Sequence, residues 1–188
     1  YYAENAEAFF ADTFAVPMDP LYARFLPHIP VGGHILDAGC GSGRDTQAFL
    51  ARGYRVTAFD ASPALAALAE HHTGQPVQVL RLQDLEWHQA FDGIWACASL
   101  LHVPAMDLPD ALGRLALALR PCGFLYASFK YGRGERAHQG RHFTDLDEAG
   151  LQALLSQVPD LRELETWITE DLRPGRAGEG WLNTLLAA

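Results

Sequence analysis

The sequence predicts an α/β chain built as a doubly wound, mostly parallel sheet with helices on both faces. Three observations carry that expectation. Short apolar runs alternate with amphipathic segments along the chain. A glycine-rich turn follows directly on the first of those runs. The run Phe91 to Ala96 has apolar side chains on both faces, as a strand covered on two sides should.

The elements follow in order. After a stretch with aromatic residues at Tyr2, Phe9, Phe10 and Phe14, His34 to Asp37 reads as a short strand entering the turn. Thr46 to Arg52 reads as a helix, with Gly53 where a left-handed C-terminal residue is wanted. Arg55 to Phe59 is a second strand, and Ser62-Pro63 supplies a cap and a first-turn proline for a helix through His71. Val77 to Arg81 and Phe91 to Ala96 are the third and fourth strands. Asp110 to Leu119 is a helix with Leu112, Leu115 and Leu119 on one stripe. It ends at Arg120-Pro121-Cys122-Gly123, and Phe124 to Phe129 is the fifth strand. Thr144 with Asp147 has the spacing of a capping box opening a helix that carries Leu151, Leu154, Leu155 and Val158. Leu161 to Thr169 and Trp181 to Leu186 close the sheet at seven strands. No repeat or linker interrupts the pattern.

Bulk properties narrow the function classes. The 188 residues suit one domain able to bury roughly two-thirds of its unfolded surface. A net charge of -9 argues against broad binding to nucleic acid or to an anionic membrane, since both need a positive face. Cys40, Cys97 and Cys122 are odd in number and form no CxxC pair, so neither a disulfide framework nor a metal site is expected, and a cytoplasmic setting is the default. No apolar run approaches the ~20 residues that span a bilayer. A chain opening on Tyr1 rather than Met is expected to lack upstream residues, so a signal peptide cannot be judged.

The segment Ile35-Leu36-Asp37-Ala38-Gly39-Cys40-Gly41-Ser42-Gly43-Arg44-Asp45 is the most informative. A strand that turns sharply into a helix while passing close to a ligand needs residues without a Cβ. Dinucleotide-binding turns read GxGxxG; this one reads GxGxG, with Arg44 where the third dinucleotide glycine would stand, which favours a nucleoside lacking a pyrophosphate. Asp60 ends the second strand about 20 residues on, where a carboxylate can accept both ribose hydroxyls. Asp84, after the third strand, is suited to accept from an adenine amino group while the Leu85 amide meets a ring nitrogen.

These motifs, with Ser62-Pro63, Gln83-Asp84-Leu85 and Ile94-Trp95-Ala96-Cys97-Ala98-Ser99-Leu100-Leu101-His102, resemble the class I S-adenosylmethionine-dependent methyltransferases along nearly the whole chain. Among subgroups the chain looks most like the small tellurite-resistance-type enzymes. Arg120-Pro121-Cys122-Gly123 is similar to the family's Arg-Pro-Gly-Gly turn, with Cys122 in place of one glycine, far from the chemistry. The resemblance implies one Rossmann-like domain over 1–188, with a helical lid region at 1–30 and the core at 31–188. It implies S-adenosylmethionine as cofactor and S-adenosylhomocysteine as product. Gly39, Gly41 and Gly43 would line the methionine part, Asp60 the ribose and Asp84 the adenine. Asp37, Cys40, Ala61, Ser62, Gln83, Leu85, Cys97 and Ala98 would border the same ligand. Arg44 or Arg24 would pair with the methionine carboxylate, and Tyr1, Asn5 and Phe9 would form a lid or else pack in the core.

The reaction implied is in-line displacement on a small-molecule acceptor, for which a general base is optional. The loop after the fourth strand should border the methyl, and it lacks the Asp/Asn-Pro-Pro-Tyr/Phe clamp of amino-directed nucleic-acid enzymes. His102 is placed to act as base, to pin the substrate or to cap the next helix. Between Lys130 and Arg141, Lys130, Arg133, Arg136 and Arg141 face only Glu135, in a loop expected over the ligand edge. Arg133 and Arg141, with Arg173, are candidates for an anionic acceptor, and Trp167 and Trp181 for an apolar wall. The rival readings are a non-catalytic S-adenosylmethionine-binding module and a nicotinamide-dependent oxidoreductase. Monomer and homodimer are both open.

Overall fold

The computed structural model describes residues 13–14, 16–171, 176 and 178–188. Five α-helices lie among them: α1 (Asp19–Phe25), α2 (Arg44–Ala51), α3 (Pro63–Thr73), α4 (Leu108–Ala118) and α5 (Glu148–Leu155). The strands are β1 (His34–Ala38), β2 (Arg55–Asp60), β3 (Val77–Val79), β4 (Phe91–Ala96), β5 (Leu119–Lys130), β6 (Gly134–His138), β7 (Arg141–Asp145), β8 (Arg162–Glu170) and β9 (Gly180–Ala187).

Seven of these strands form one sheet in the order β3-β2-β1-β4-β5-β9-β8. Every pair from β3 to β5 is parallel. β9 runs antiparallel to both of its neighbours, β5 and β8. From β1 the chain winds outward through β2 and β3, then returns to start again at β4 on the other side. The connections leaving β1 and β4 therefore diverge at their C-terminal ends, and a crevice opens between them.

Alternate side chains of each strand supply two cores. On one face Ile35, Trp95, Tyr126 and Leu185 pack against Tyr22 and Phe25 of α1 and Phe49 of α2. On the other, Leu36, Ile94, Leu125 and Leu186 pack against Leu112 and Leu115 of α4 and Leu151 and Leu154 of α5. Trp95 stacks on Tyr126 with ring centroids 4.0 Å apart. At about 1.5–3 kcal/mol for each large apolar side chain fully buried, these two layers hold the sheet rigid where the site is built.

The structure departs from the sequence reading at three places. Residues 134–145 form an antiparallel hairpin, β6–β7, not an irregular loop. Thr144 lies in β7 and caps nothing: Asp147 is the N-cap of α5, its side chain accepting from the Gly150 amide at 2.9 Å, so the cap falls three residues later than expected. β5 begins at Leu119 and runs through Arg120–Gly123, where a turn was expected. It does so by taking a register shift opposite Phe91 and Gly93 and placing Cys122 at φ +63°. Among the described residues no helix is long and apolar enough to cross a membrane.

Candidate active site

The turn from β1 into α2 passes through three left-handed glycines, Gly39, Gly41 and Gly43, at φ +81°, +55° and +79°. At Gly39 and Gly43 space is as restrictive as backbone conformation. A Cβ on Gly39 would lie 2.5 Å from the Ser99 Cβ, and one on Gly43 would lie 2.8 Å from the Thr73 Cγ2 and 3.1 Å from the Ala69 Cβ. Gly43 thus seats α2 against α3, and it does not border the crevice. The amides of Gly39 and Cys40 both donate to the Phe59 carbonyl, at 3.0 and 2.9 Å, tying the turn to the end of β2.

That tie brings Asp60 under the turn. Its Oδ2 accepts from the Gly41 amide at 2.9 Å and its Oδ1 from the Ser62 amide at 2.8 Å, so both oxygens are fixed in direction. Burial pushes its carboxyl above the ordinary carboxylate value, and the two amides oppose that rise. Each oxygen retains a lone pair for a further donor.

Behind the turn lies a closed polar cluster. Asp45 accepts from Arg44 Nε at 2.7 Å and Nη2 at 2.9 Å, from Trp95 Nε1 at 2.8 Å and from the Tyr22 hydroxyl. Burial works against its charge, but the Arg44 guanidinium and these donors overcome it and hold its carboxyl below the usual range. Asp37, also buried, accepts from the Thr46 hydroxyl at 2.6 Å, and burial together with the neighbouring Asp45 charge raises its carboxyl. Asp37 therefore braces the turn from beneath instead of bordering the crevice.

The crevice encloses about 1080 Å³. One end is walled by Gly39, Cys40, Gly41, Asp60, Ala61, Ser62 and Gln83, and the other by the β6–β7 hairpin and the start of β9. Between them runs the loop after β4. Ala98 sits at φ +52°, a strained setting for a residue with a Cβ, and is held there by its amide donating to the Ser128 hydroxyl at 2.9 Å. Burial, then the Asp45 charge, pushes the Cys97 thiol up to about 12, and burial pushes the Cys40 thiol up as well, so neither is a ready nucleophile.

His102 lines the crevice and rests edge-on against Phe143. Its Nδ1 lies 2.7 Å from the His142 carbonyl, which can only accept, so Nδ1 carries the proton and Nε2 holds the lone pair. Burial, then the nearby Arg141 and His142 charges, lowers its pKa. The hairpin contributes Arg136, His138, Arg141 and Phe143 to the same end. Arg136 pairs with Asp145 at 2.5 Å and lies over the Phe143 ring, which Arg141 also overlies. Lys130, at the end of β5, is buried between Asp171 and Glu179 and lies 4.3 Å from the Trp181 ring centre.

Several expected residues fall elsewhere. Arg24 pairs with Glu165 and stacks on Trp167 at 4.5 Å, both outside the crevice, because α1 turns that face toward β8. Of the two arginines offered for a carboxylate, Arg44 alone borders the crevice, with Nη1 given to the Thr13 carbonyl at 3.1 Å. Asp84 is exposed and paired in bidentate fashion with Arg81, which lines the crevice, at 2.7 and 2.9 Å, and the Leu85 side chain is buried in the core. Arg133 is exposed and pairs with Asp147. Tyr1, Asn5, Phe9 and Arg173 lie outside the described residues. The sequence reading missed Ser99 and Ser128 as site hydroxyls and Phe143 as a wall. Single serines and a phenylalanine carry no spacing signal; only the strand pairing of β4 with β5 brings Ser128 beside Ala98.

A family model described as a methyltransferase domain matches residues 9–170. The chain is 36% identical over 106 residues to the ubiquinone biosynthesis O-methyltransferase of Xanthomonas axonopodis pv. citri, covering 53% of this chain and 44% of that one. It is also 36% identical over 99 residues to the malonyl-(acyl-carrier protein) O-methyltransferase of Serratia marcescens, covering 52% and 38%. The matched stretch is less than half the length of those relatives. A solved structure of the 1,6-didemethyltoxoflavin-N1-methyltransferase of Burkholderia thailandensis, with bound 1,6-didemethyltoxoflavin and S-adenosylhomocysteine, superposes with a TM-score of 0.79 at 26% identity. That superposition covers 99% of this chain and 83% of the other. With the parallel sheet, the inserted antiparallel β9 and the glycine turn in place, the chain belongs to the class I S-adenosylmethionine-dependent methyltransferase family.

Proposed function

We propose that the chain binds S-adenosylmethionine and transfers its methyl group to a small, anionic acceptor. The observation that carries the cofactor half is Asp60, aimed by two backbone amides at the mouth of a turn that admits no Cβ at Gly39. That cradle suits a nucleoside: close backbone approach on one side, and a carboxylate for two vicinal hydroxyls on the other. The nicotinamide reading is weaker, since its usual sheet is parallel throughout and its turn places a third glycine where Arg44 stands.

S-adenosylmethionine supplies a methyl carbon on a positively charged sulfur that leaves readily. The chain has then to hold the acceptor atom in line and keep water out. His102 takes the acceptor's proton at Nε2, fixed in that tautomer by the His142 carbonyl. Arg141, beside His102 and over Phe143, holds the acceptor's negative group. Described residues 16–18 and Leu21, which border the crevice, begin a cover over the cofactor. An acceptor bearing an acidic O–H or N–H fits these groups. The named acceptor of the Burkholderia enzyme and the O-methyl products of the ubiquinone-pathway relatives support that chemistry without naming the molecule.

The test is product formation. The protein is incubated with methyl-labelled cofactor and a panel of anionic phenols, carboxylates and heteroaromatic N–H acids, and labelled product is read by mass spectrometry. Arg141→Glu should abolish turnover of the best acceptor while S-adenosylhomocysteine affinity stays unchanged. Tight cofactor binding with no product across the panel would favour the non-catalytic module, and unchanged turnover in Arg141→Glu would discard the anionic acceptor.

A further inference from the structure

Alternate side chains of the β6–β7 hairpin serve two different neighbours. Glu135 and Thr144, opposite each other in its register, turn to the loop after β4: Glu135 accepts from the Ala105 amide at 2.9 Å, and the Thr144 hydroxyl donates to the Val103 carbonyl at 2.8 Å. The other set, Arg136, His138, Arg141, Phe143 and Asp145, lines the crevice. At the tip the chain reverses through Gln139 and Gly140, at φ +50° and +72°, the tight turn whose two central residues are both left-handed. Such a turn fixes register, so His138 and Arg141, the pair that flanks it, stand opposite each other with Cβ atoms about 5 Å apart.

This pair is close to the reacting end. The Phe143 ring centre lies 4.9 Å from the His102 ring centre and 5.2 Å from the Arg141 Cζ, so one small molecule can touch His102 and Arg141 together. Arg136, next along the same face, is taken up by Asp145 at 2.5 Å. His138 is exposed and has no part in the proton transfer described above.

The geometry points to a carboxylate site at the hairpin tip: His138 and Arg141 together grip the carboxylate of an acceptor whose reacting O–H or N–H meets His102. This rests on the reading above that Arg141 holds an anionic acceptor, and it adds a second residue and a chemical class. A carboxylate has two oxygens, one for the guanidinium fork and one for an imidazole N–H, and an imidazole keeps an N–H in either charge state.

The experiment compares two probes by calorimetry on protein saturated with S-adenosylhomocysteine. Salicylate sets an O–H beside a carboxylate, whereas salicylamide keeps the ring and the hydroxyl but carries no charge. Wild-type protein should prefer salicylate. His138→Ala should weaken salicylate about tenfold while leaving salicylamide and S-adenosylhomocysteine unchanged. His138→Arg, which restores a charged donor, should keep the preference; a hairpin merely disturbed by loss of the imidazole would weaken both probes alike. Equal weakening of the two probes by His138→Ala, or of neither, would overturn the assignment, and the anionic reading would still stand if Arg141→Ala removed the preference. Wild-type protein with no preference for salicylate would overturn both.

Discussion

His102 gives its Nδ1 proton to the backbone carbonyl of His142, 2.7 Å away, and so joins the loop after β4 to strand β7. The Thr144 hydroxyl makes a second tie to the same loop, donating to the Val103 carbonyl at 2.8 Å. The hairpin is thereby part of the site's frame, and the orientation of His102 depends on it.

From this follows a pH dependence. Burial, with Arg141 and His142 close by, holds the His102 pKa below the ordinary imidazole value of 6.5. In the unfolded chain the ring binds a proton as pH falls through 6.5, while in the folded protein it resists until lower pH. Stability contributed by neutral His102 is therefore complete above pH 6.5 and declines as pH falls toward the folded pKa. Histidine NMR should show His102 as the Nδ1–H tautomer with a midpoint below 6.5. The acid limb of turnover should share that midpoint, and His102→Gln should remove the limb.

Gly39→Ala should be doubly unfavourable, since the position is at φ +81° and its new Cβ would overlap Ser99. The left-handed backbone alone costs about 1–2 kcal/mol and the overlap a similar amount. Thermal unfolding should drop by several degrees and cofactor binding should fall with it. Adding Ser99→Gly removes the overlapped atom, so the double variant should recover part of the loss in unfolding temperature, a coupling that additive effects would not give.

Asp45→Ala should be among the most damaging changes. It strips the buried Arg44 guanidinium of its partner and leaves the Trp95 indole N–H and the Tyr22 hydroxyl unmatched. Breaking a buried pair in this way costs about 3–5 kcal/mol. Denaturant titration should report a lower midpoint with little change in slope.

Cys122→Gly should stabilise. Cys122 is exposed and at φ +63°, so its side chain contributes little and its Cβ is strained. Relief of that strain, less the added freedom of glycine in the unfolded chain, leaves about 0.5–1 kcal/mol. The unfolding temperature should rise by roughly 1–4 °C.

The parts of this fold that sequence made legible are those where one local rule decides. β4 was read to the residue, because an apolar run bounded by a polar loop has one interpretation in a covered sheet. The turn at Gly39 to Gly43 and the cap at Ser62 were legible for the same reason. Where two local rules compete, tertiary pairing decides. Thr144 looked like a cap until strand pairing drew it into β7, and the pairing of Asp84 with Arg81, three residues earlier, could not be read from spacing alone. Arg24 was misplaced because sequence does not say which face of α1 meets β8. Ser99 stood in the loop expected to border the methyl, but that its buried hydroxyl has no partner among the described residues is a property of three-dimensional surroundings alone.

Nucleoside capture by the glycine turn and Asp60 is tested most directly by one titration. Wild-type protein, mixed in a calorimeter with S-adenosylhomocysteine, should bind it with one-to-one stoichiometry and should bind NADH far more weakly. Asp60→Ala, which removes the oxygens fixed by the Gly41 and Ser62 amides, should lose about ten- to a hundredfold in affinity. No heat of binding with S-adenosylhomocysteine, or an affinity that Asp60→Ala leaves intact, would contradict it.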